Sequence, residues 1–315
     1  MSSAARWVVG PGDSRRLDDV LTRMGDIARG AAAEGRAFVN ARRAAEGTTL
    51  EEGDVVEVWA RREESADSPR ILAQRGPWVI AYKPADLPAE PDRRGGRSLV
   101  ESLAELLATT ERPHATSRLD VGVSGAMLCA IGEAGRRAAA SAHEAGEVHR
   151  TYVALAGGKV EGSGRWDAPI GRSRDRRGHA LPVAHGRDAQ PAVTRFTAIA
   201  WAGAASRRPG DGATTLLVMR PETGRMHQLR VHASAAGAPL LGDRDRGGAK
   251  ALVDRAGRVH PLQRIALHAL RVDIDGPSGP LSAVAPIPAA LREMWKALDG
   301  DERAWDEVAV EHPEP

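Results

Sequence analysis

Apolar residues come in short blocks broken by Gly, Pro and charged runs, and the spacing within each block predicts its element. RRLDDVLTRM has helical spacing, with Asp13 or Ser14 placed to cap it, and a second, Ala-rich helix is expected near 27–35. FVNARRAAEGTTLEEGDVVEVWA reads as short strands with Gly at the turns. RREESADSPR, at 61–70, reads as a linker. WVIAY then predicts a buried strand stopped by Pro84, and 86–97 a loop. SLVESLAELLA and EAGRRAAASAHEAGEV predict helices, and GAMLCAI and VHRTYVALAGG strands. Residues 172–189 are Arg-rich and are expected to be a mobile segment. AVTRFTAIAWAG, ATTLLVMRP and IALHALRVDI are strand-like, RMHQLRVHASAAG reads as a helix ending at Gly237, and LREMWKAL as a final short helix. The acidic stretch 299–315 is expected to be a disordered tail. Strands joined by irregular loops and occasional helices favour an α+β body with a mixed, largely antiparallel sheet over a doubly wound one. The chain divides into a small α/β module at 12–60, a body at 71–298 and the tail.

Composition narrows this picture. Hydrophobic residues make up 42% of 315, enough for a real core, and no apolar run reaches the length of a membrane span. MSSAARWVVG lacks the apolar stretch of a signal peptide, so a cytoplasmic protein is expected. Cys129, the single cysteine, excludes an internal disulfide and a multi-cysteine zinc site; inside MLCAI it reads as buried filler. Charge is unevenly spread. Residues 12–60 hold seven Arg against ten acids, and 299–315 one Arg against seven, so 61–298 carries +10 in a chain of net charge +2. A basic body suits a polyanion such as nucleic acid. The same arginines also fit compositional drift, since Arg outnumbers Lys 40 to 4. In so biased a chain the two tyrosines, Tyr82 and Tyr152, are less readily accidental.

Three clusters carry candidate chemistry. SRLDVGVSGAML sets Arg118 and Asp120 before a Gly turn and an apolar run, where charge is costly unless a loop holds it at a cleft. Arg150-Thr-Tyr152 lies on a predicted strand. Thr223-Gly-Arg225-Met-His227-Gln228-Leu-Arg230-Val-His232 leads into a helix, a natural anion site. Each has a plainer reading: Asp120 a surface acid paired with Arg118, Tyr152 a core residue. His227 and His232 are five apart, which does not set both on one metal, so no metal site is expected. GVSGA approaches the serine-hydrolase elbow, but Ala126 replaces its second glycine and a strand follows instead of a helix, which disfavours Ser124 as a nucleophile.

Together, in this order, the clusters resemble the RluA-type family of RNA pseudouridine synthases. SRLDVGVSG is similar to its H-R-L-D-x-x-T-S-G hallmark and Arg150-Thr-Tyr152 to its K-x-Y motif. Residues 223–232 meet its T-G-R-x-H-Q-x-R-V-H in full, and Gly237 to Asp243 its G-x-P-x-x-G-D. AYKPADLP, containing Lys83, resembles its entry segment, RDAQPAVTRF a later strand and LHA a final one. The resemblance spans about 71–290. Residues 16–58 resemble an RNA-binding module first known from a small-subunit ribosomal protein, although the module is net acidic here and could instead be a scaffold.

The resemblance implies a pseudouridine synthase body that isomerises uridines in ribosomal or transfer RNA. It implies Asp120 as the essential carboxylate, Arg230 as the cation that keeps it ionised, and Tyr152 as a ring stacking on the uracil. Arg118 would fill the space left by the flipped base. Lys83, Thr223, Gly224, Arg225, His227, Gln228 and His232 are carried over as substrate-binding. Isomerisation involves no net redox change, so no cofactor is expected, and the partner is structured RNA bound by a monomer. Ser117 stands where the family has His, and Val123 where it has Thr. An RNA-binding relative with weakened or lost catalysis is therefore the alternative.

Overall fold

In a computed structural model of the chain, the described residues are 5–26, 28–59, 68–91, 97–174, 180–203, 212–275 and 279–310. The N-terminal module comprises β1 (Ala5–Val8), α1 (Leu17–Arg23), β2 (Ala37–Val39), β3 (Arg42–Arg43) and β4 (Val55–Val58), with sheet order β1-β4-β2-β3. It begins before residue 12, because β1 pairs with β4. Leu17, Val20 and Leu21 bury one face of α1. Neither expected cap is used: Arg16 holds the N-cap position without a side-chain bond. Asp13 instead accepts from Gly10 N and Trp7 Nε1, and Ser14 donates to Asp19. The expected second helix is replaced by successive turns over 28–35, because Gly30 and Gly35 sit at φ +72° and +66°, outside the helical region.

The body is built on a ten-stranded sheet. In chain order its elements are β5 (Arg70–Arg75), β6 (Trp78–Lys83), α2 (Leu99–Leu106), β7 (Pro113–Ala115), β8 (Ser124–Ile131), α3 (Gly132–Glu144) and β9 (Val148–Gly157). There follow β10 (Ser163–Trp166), β11 (Ile170–Arg174), β12 (Ala180–Ala184), β13 (Arg187–Gln190), β14 (Thr194–Ala202), β15 (Thr214–Pro221) and α4 (Gln228–Ala235). The chain closes with β16 (Ala251–Val253), β17 (Val259–Pro261), β18 (Leu267–Ile274), β19 (Leu281–Val284), α5 (Ala289–Ala297) and α6 (Ala304–Val310). The large sheet runs β10-β14-β15-β9-β18-β8-β6-β5, with β19 on β18 and β7 on β8. Every pairing is antiparallel except β18 with β8. The expected mixed, largely antiparallel sheet is what forms.

Alternation sorts the core. Val79 and Ala81 of β6 join Met127, Tyr152, Ala154 and Leu229 on one face. Trp78, Ile80 and Tyr82 join Ala139, Ala142 and Val272 on the other, under α3. Both faces are covered, so all six β6 residues are buried and the strand reads as an apolar run up to Lys83. Val153, Leu155 and Val218 pack against Trp295 of α5 and Trp305 of α6. The parallel crossing sets Gly125 opposite Ala269. Gly125 has φ +129°, and a Cβ there would lie 2.1 Å from the Ala269 carbonyl oxygen, so only glycine fits.

Three other expectations change. Within 172–189, the described residues contribute to a three-stranded sheet, order β12-β11-β13, seated on α4 by Ile170, Ala192 and Val231. The Arg-rich composition of the segment hid these strands. The described part of 299–315 contains α6, whose Trp305 and Val308 are buried while Asp306 and Glu307 are exposed; residues 311–315 lie outside the described residues. Of the 61–70 linker, 61–67 lie outside the described residues and Arg70 already begins β5. Residues 92–96 of the 86–97 loop also lie outside.

Candidate active site

A cleft of about 890 Å³ opens where the loop 116–123, the β9 strand and the start of α4 converge. The loop is anchored from behind. Lys83 is fully buried, and its ammonium donates to the carbonyls of Pro84 (3.0 Å), Leu87 (2.8 Å) and Val121 (3.4 Å). Asp86 N donates to the same Val121 carbonyl at 2.7 Å. The expectation that Lys83 binds substrate is therefore corrected. A buried ammonium needs acceptors, and these carbonyls hold the segment beside Asp120.

Asp120 lies on the cleft floor with its side chain 26% exposed. Its Oδ2 accepts from Arg230 Nη1 at 2.7 Å. Arg230, on α4, is held in turn by a fork: Nε and Nη2 donate to Asp243 Oδ2 and Oδ1, both at 2.7 Å. Asp243 is 1% exposed, so the bidentate pair is buried and rigid, and Nη1 is left aimed at Asp120. Burial opposes the Arg230 charge, but the bonds to Asp243 and the charge of Asp120 outweigh it and raise the guanidinium's pKa. Gly242 makes the turn before Asp243: it has φ +75°, and a Cβ would fall 1.9 Å from the Arg264 carbonyl oxygen.

Tyr152 lines the cleft from β9, paired with Met219 on one side and Ala269 on the other. Burial raises its phenol; Arg150 acts the other way and Asp120 adds to the rise. The phenol therefore keeps its proton at the edge of the cleft. Arg118 is exposed at the lip.

The decapeptide 223–232 splits into two sets. Gly224, Arg225, His227 and Arg230 face the cleft. Arg225 is exposed, its Nε bonded to Pro191 O at 3.0 Å, and Gly224 lies where a Cβ would come within 3.3 Å of His143 Nε2. Thr223, Gln228 and His232, expected as substrate-binding, have their side-chain polar atoms engaged within the protein, although Thr223 and Gln228 also line the cleft. Gln228 borders the cleft, yet its amide donates to Val193 O and Thr194 Oγ1 and accepts from Thr223 Oγ1 and Arg225 N. Thr223 also accepts from Val193 N. His232 is 1% exposed, bonded to Thr194 Oγ1 and Ala168 O, both at 2.9 Å. With their polar atoms occupied inside, these three side chains hold α4 to β14.

Sequence reasoning missed Asp243, which holds Arg230, Arg246, whose Nη2 lies 3.2 Å from His227 Nδ1, and His143, which lines the cleft. Asp243 had a signal, since it closes the 237–243 motif; the other two had none. Ser124 is fully buried, with Oγ accepting from Arg264 Nη2 at 2.7 Å and lying 2.7 Å from His268 Nδ1. It faces no cleft, which removes the nucleophile reading.

The match to a known family is direct. Residues 77–235 match the model of the RNA pseudouridylate synthase family. A ribosomal large subunit pseudouridine synthase D of Xanthomonas campestris pv. campestris is 31% identical, over 98% of this chain and 97% of its own. This chain belongs to the RNA pseudouridine synthases. An uncharacterized RNA pseudouridine synthase of Mycobacterium bovis is 35% identical over 61% of this chain and 58% of its own length. Among solved structures, human RNA pseudouridylate synthase domain containing 1 superposes with a TM-score of 0.60 at 22% identity, covering 80% of this chain and 99% of that one. That likeness shows the fold. As a family member the chain is an isomerase acting on RNA. No helix among the described residues is long and apolar enough to cross a membrane, and no group of three or more potential metal ligands occurs among them.

Proposed function

We propose that this synthase converts uridines of large-subunit ribosomal RNA to pseudouridine with Asp120 as the reacting carboxylate. The observation that carries this reading is the Asp120–Arg230–Asp243 chain, which holds one carboxylate in a fixed orientation at the floor of an open cleft. The intact chain also argues against a relative that only binds RNA, despite Ser117 and Val123. The ribosomal target is that of the Xanthomonas relative, a ribosomal large subunit pseudouridine synthase D.

In the reaction the uracil N1–C1′ bond breaks, C5 bonds to C1′, C5 loses its proton and N1 gains one. Asp120 enters either by attacking C1′ or by taking the C2′ proton to form a glycal. Both routes need an ionised carboxylate, and the Arg230 guanidinium donates a hydrogen bond to its Oδ2 at 2.7 Å. Tyr152 offers a neutral ring for stacking, with its hydroxyl toward C5. Arg118 at the lip is placed to occupy the gap left by the flipped uridine. The N-terminal module contributes a scaffold more than an RNA grip, in keeping with its acidity.

The test is pseudouridine mapping of ribosomal and transfer RNA from a strain lacking the gene. We expect one or more large-subunit sites to vanish and to return with the wild-type protein but not with Asp120→Asn. In single-turnover assays Asp120→Asn should be slower by more than about 10³-fold with its fold intact. Turnover retained by Asp120→Asn would remove Asp120 from this role, and loss confined to transfer RNA would change the target.

A further inference from the structure

Asp120 has two oxygens, and they are held differently. Oδ2 is fixed by Arg230 at 2.7 Å. Oδ1 faces His227 Nε2 at 3.4 Å, a close approach that is long for a formed hydrogen bond. Such contacts often tighten only when substrate is bound. The other ring nitrogen has a partner of its own: Arg246 Nη2 lies 3.2 Å from His227 Nδ1. Arg246 is nearly buried, and its Nη1 donates to the Pro182 carbonyl of β12 at 2.7 Å.

A guanidinium has donors only. Facing Arg246, Nδ1 must present its lone pair, so the ring's proton resides on Nε2. A second proton on Nδ1 would point at a cation. The groups around the ring are Asp120, Arg230, Arg246 and Asp243. Burial and the two arginines hold its pKa below the ordinary histidine value, against the pull of the two carboxylates. The backbone adds a constraint, since His227 sits at φ +56° and ψ +22°, a left-handed conformation that few non-glycine residues adopt. Strain of this kind is kept where neighbouring structure enforces it, often at functional sites.

We infer that Arg246 is a positioning residue for the reaction: it fixes His227 as the neutral Nε2–H tautomer, which aims a hydrogen-bond donor at Oδ1 of Asp120. The loosely held Oδ1 is then the oxygen offered to the substrate, with Oδ2 retained by Arg230. Arg246 also links the carboxylate to the three-stranded sheet through Pro182. This inference rests on the reading of Asp120 as the reacting group.

Two measurements test it. The first is a long-range ¹H–¹⁵N correlation of the imidazoles in the full-length protein, with His227 assigned from the His227→Gln spectrum. The wild type should show His227 neutral and protonated on Nε2 at neutral pH. Arg246→Met should show a tautomer mixture that titrates closer to an ordinary histidine. This readout needs no turnover, so it stands or falls separately from the role of Asp120. The second is single-turnover kinetics. His227→Leu should lower the rate roughly 10- to 100-fold, the size of one hydrogen bond to a charged group. Arg246→Met should lower it by a similar factor with little change in RNA affinity, and the double variant should be no slower than either single one. His227→Gln, which can donate but not titrate, should recover most of the rate. A proton on Nδ1 in the wild type, losses that multiply in the double variant, or an Arg246→Met defect confined to RNA affinity would overturn the inference.

Discussion

Two polar clusters lie four residues apart along one segment, and only one of them faces the cleft. Asp120 and Arg230 form the first, with Asp243 behind them. Ser124, His268 and Arg264 form the second, inside the sheet where β8 runs parallel to β18. Both pair an arginine with a side chain of this segment at 2.7 Å. In the first, the acceptor is a carboxylate open to solvent and the arginine is anchored by a second, buried carboxylate. In the second, the acceptor is a hydroxyl with no access to the cleft. By residue type a Ser–His pair looks the more reactive. Access and a fixed charge decide otherwise.

Removing the arginine of the open cluster should have the largest effect on stability. Arg230→Met leaves Asp243 buried without its partner, a cost of about 3–5 kcal/mol. The melting temperature should fall by roughly 10 °C, and activity should fall steeply as well. Arg230→Lys should restore charge without the fork and recover only part of each. A melt unchanged by Arg230→Met would show that Asp243 takes up a proton at little cost, and that the cluster is less rigid than its geometry implies.

The sealed cluster should instead respond to pH. Burial, with the Arg264 charge added, pushes the His268 imidazole down to about 3. The unfolded chain, with an ordinary imidazole near 6.5, binds a proton there that the folded chain does not. Between those values, stability falls as pH falls, by up to about 1.4 kcal/mol per unit. Denaturant midpoints measured from pH 7 to pH 4 should drop less in His268→Asn than in the wild type, after allowing for its lower starting stability. Equal slopes would mean that His268 does not stay neutral in the folded protein.

The smallest effect is expected far from both clusters. Arg42 and Arg43 are exposed on β3 of the acidic module. Replacing both with alanine should reduce the salt slope of RNA binding by less than about 1, where two full phosphate contacts would remove nearly 2. A larger drop would make the module an RNA-binding surface.

How much of this was legible depended on distance along the chain. The strands around Ile80, Leu128 and Leu217, and the helix ending at Gly237, followed from local period and turn chemistry. The order of the motifs, and with them Asp120, Tyr152 and Arg230 as candidate site residues, came from the resemblance to the family. Other readings failed for local reasons that tertiary packing overrode. Ala-rich composition promised a helix at 27–35, but Gly30 and Gly35 turn the chain there. Acids masked the apolar stripe of α6, and arginines masked the strands within 172–189.

The sequence by itself therefore determined the fold class, the family and the segment that carries each candidate group. Only the tertiary structure decided which polar atoms remain available. Lys83, Gln228 and His232 look like RNA ligands in the motif, yet their partners occupy them. Arg230 meets Asp120 across 110 residues, and Arg246 meets His227 and Pro182 across 19 and 64. Period and turn signals act over a few residues. A buried hydrogen bond is set by sheet register and helix docking, which bring together donors and acceptors that no local pattern connects.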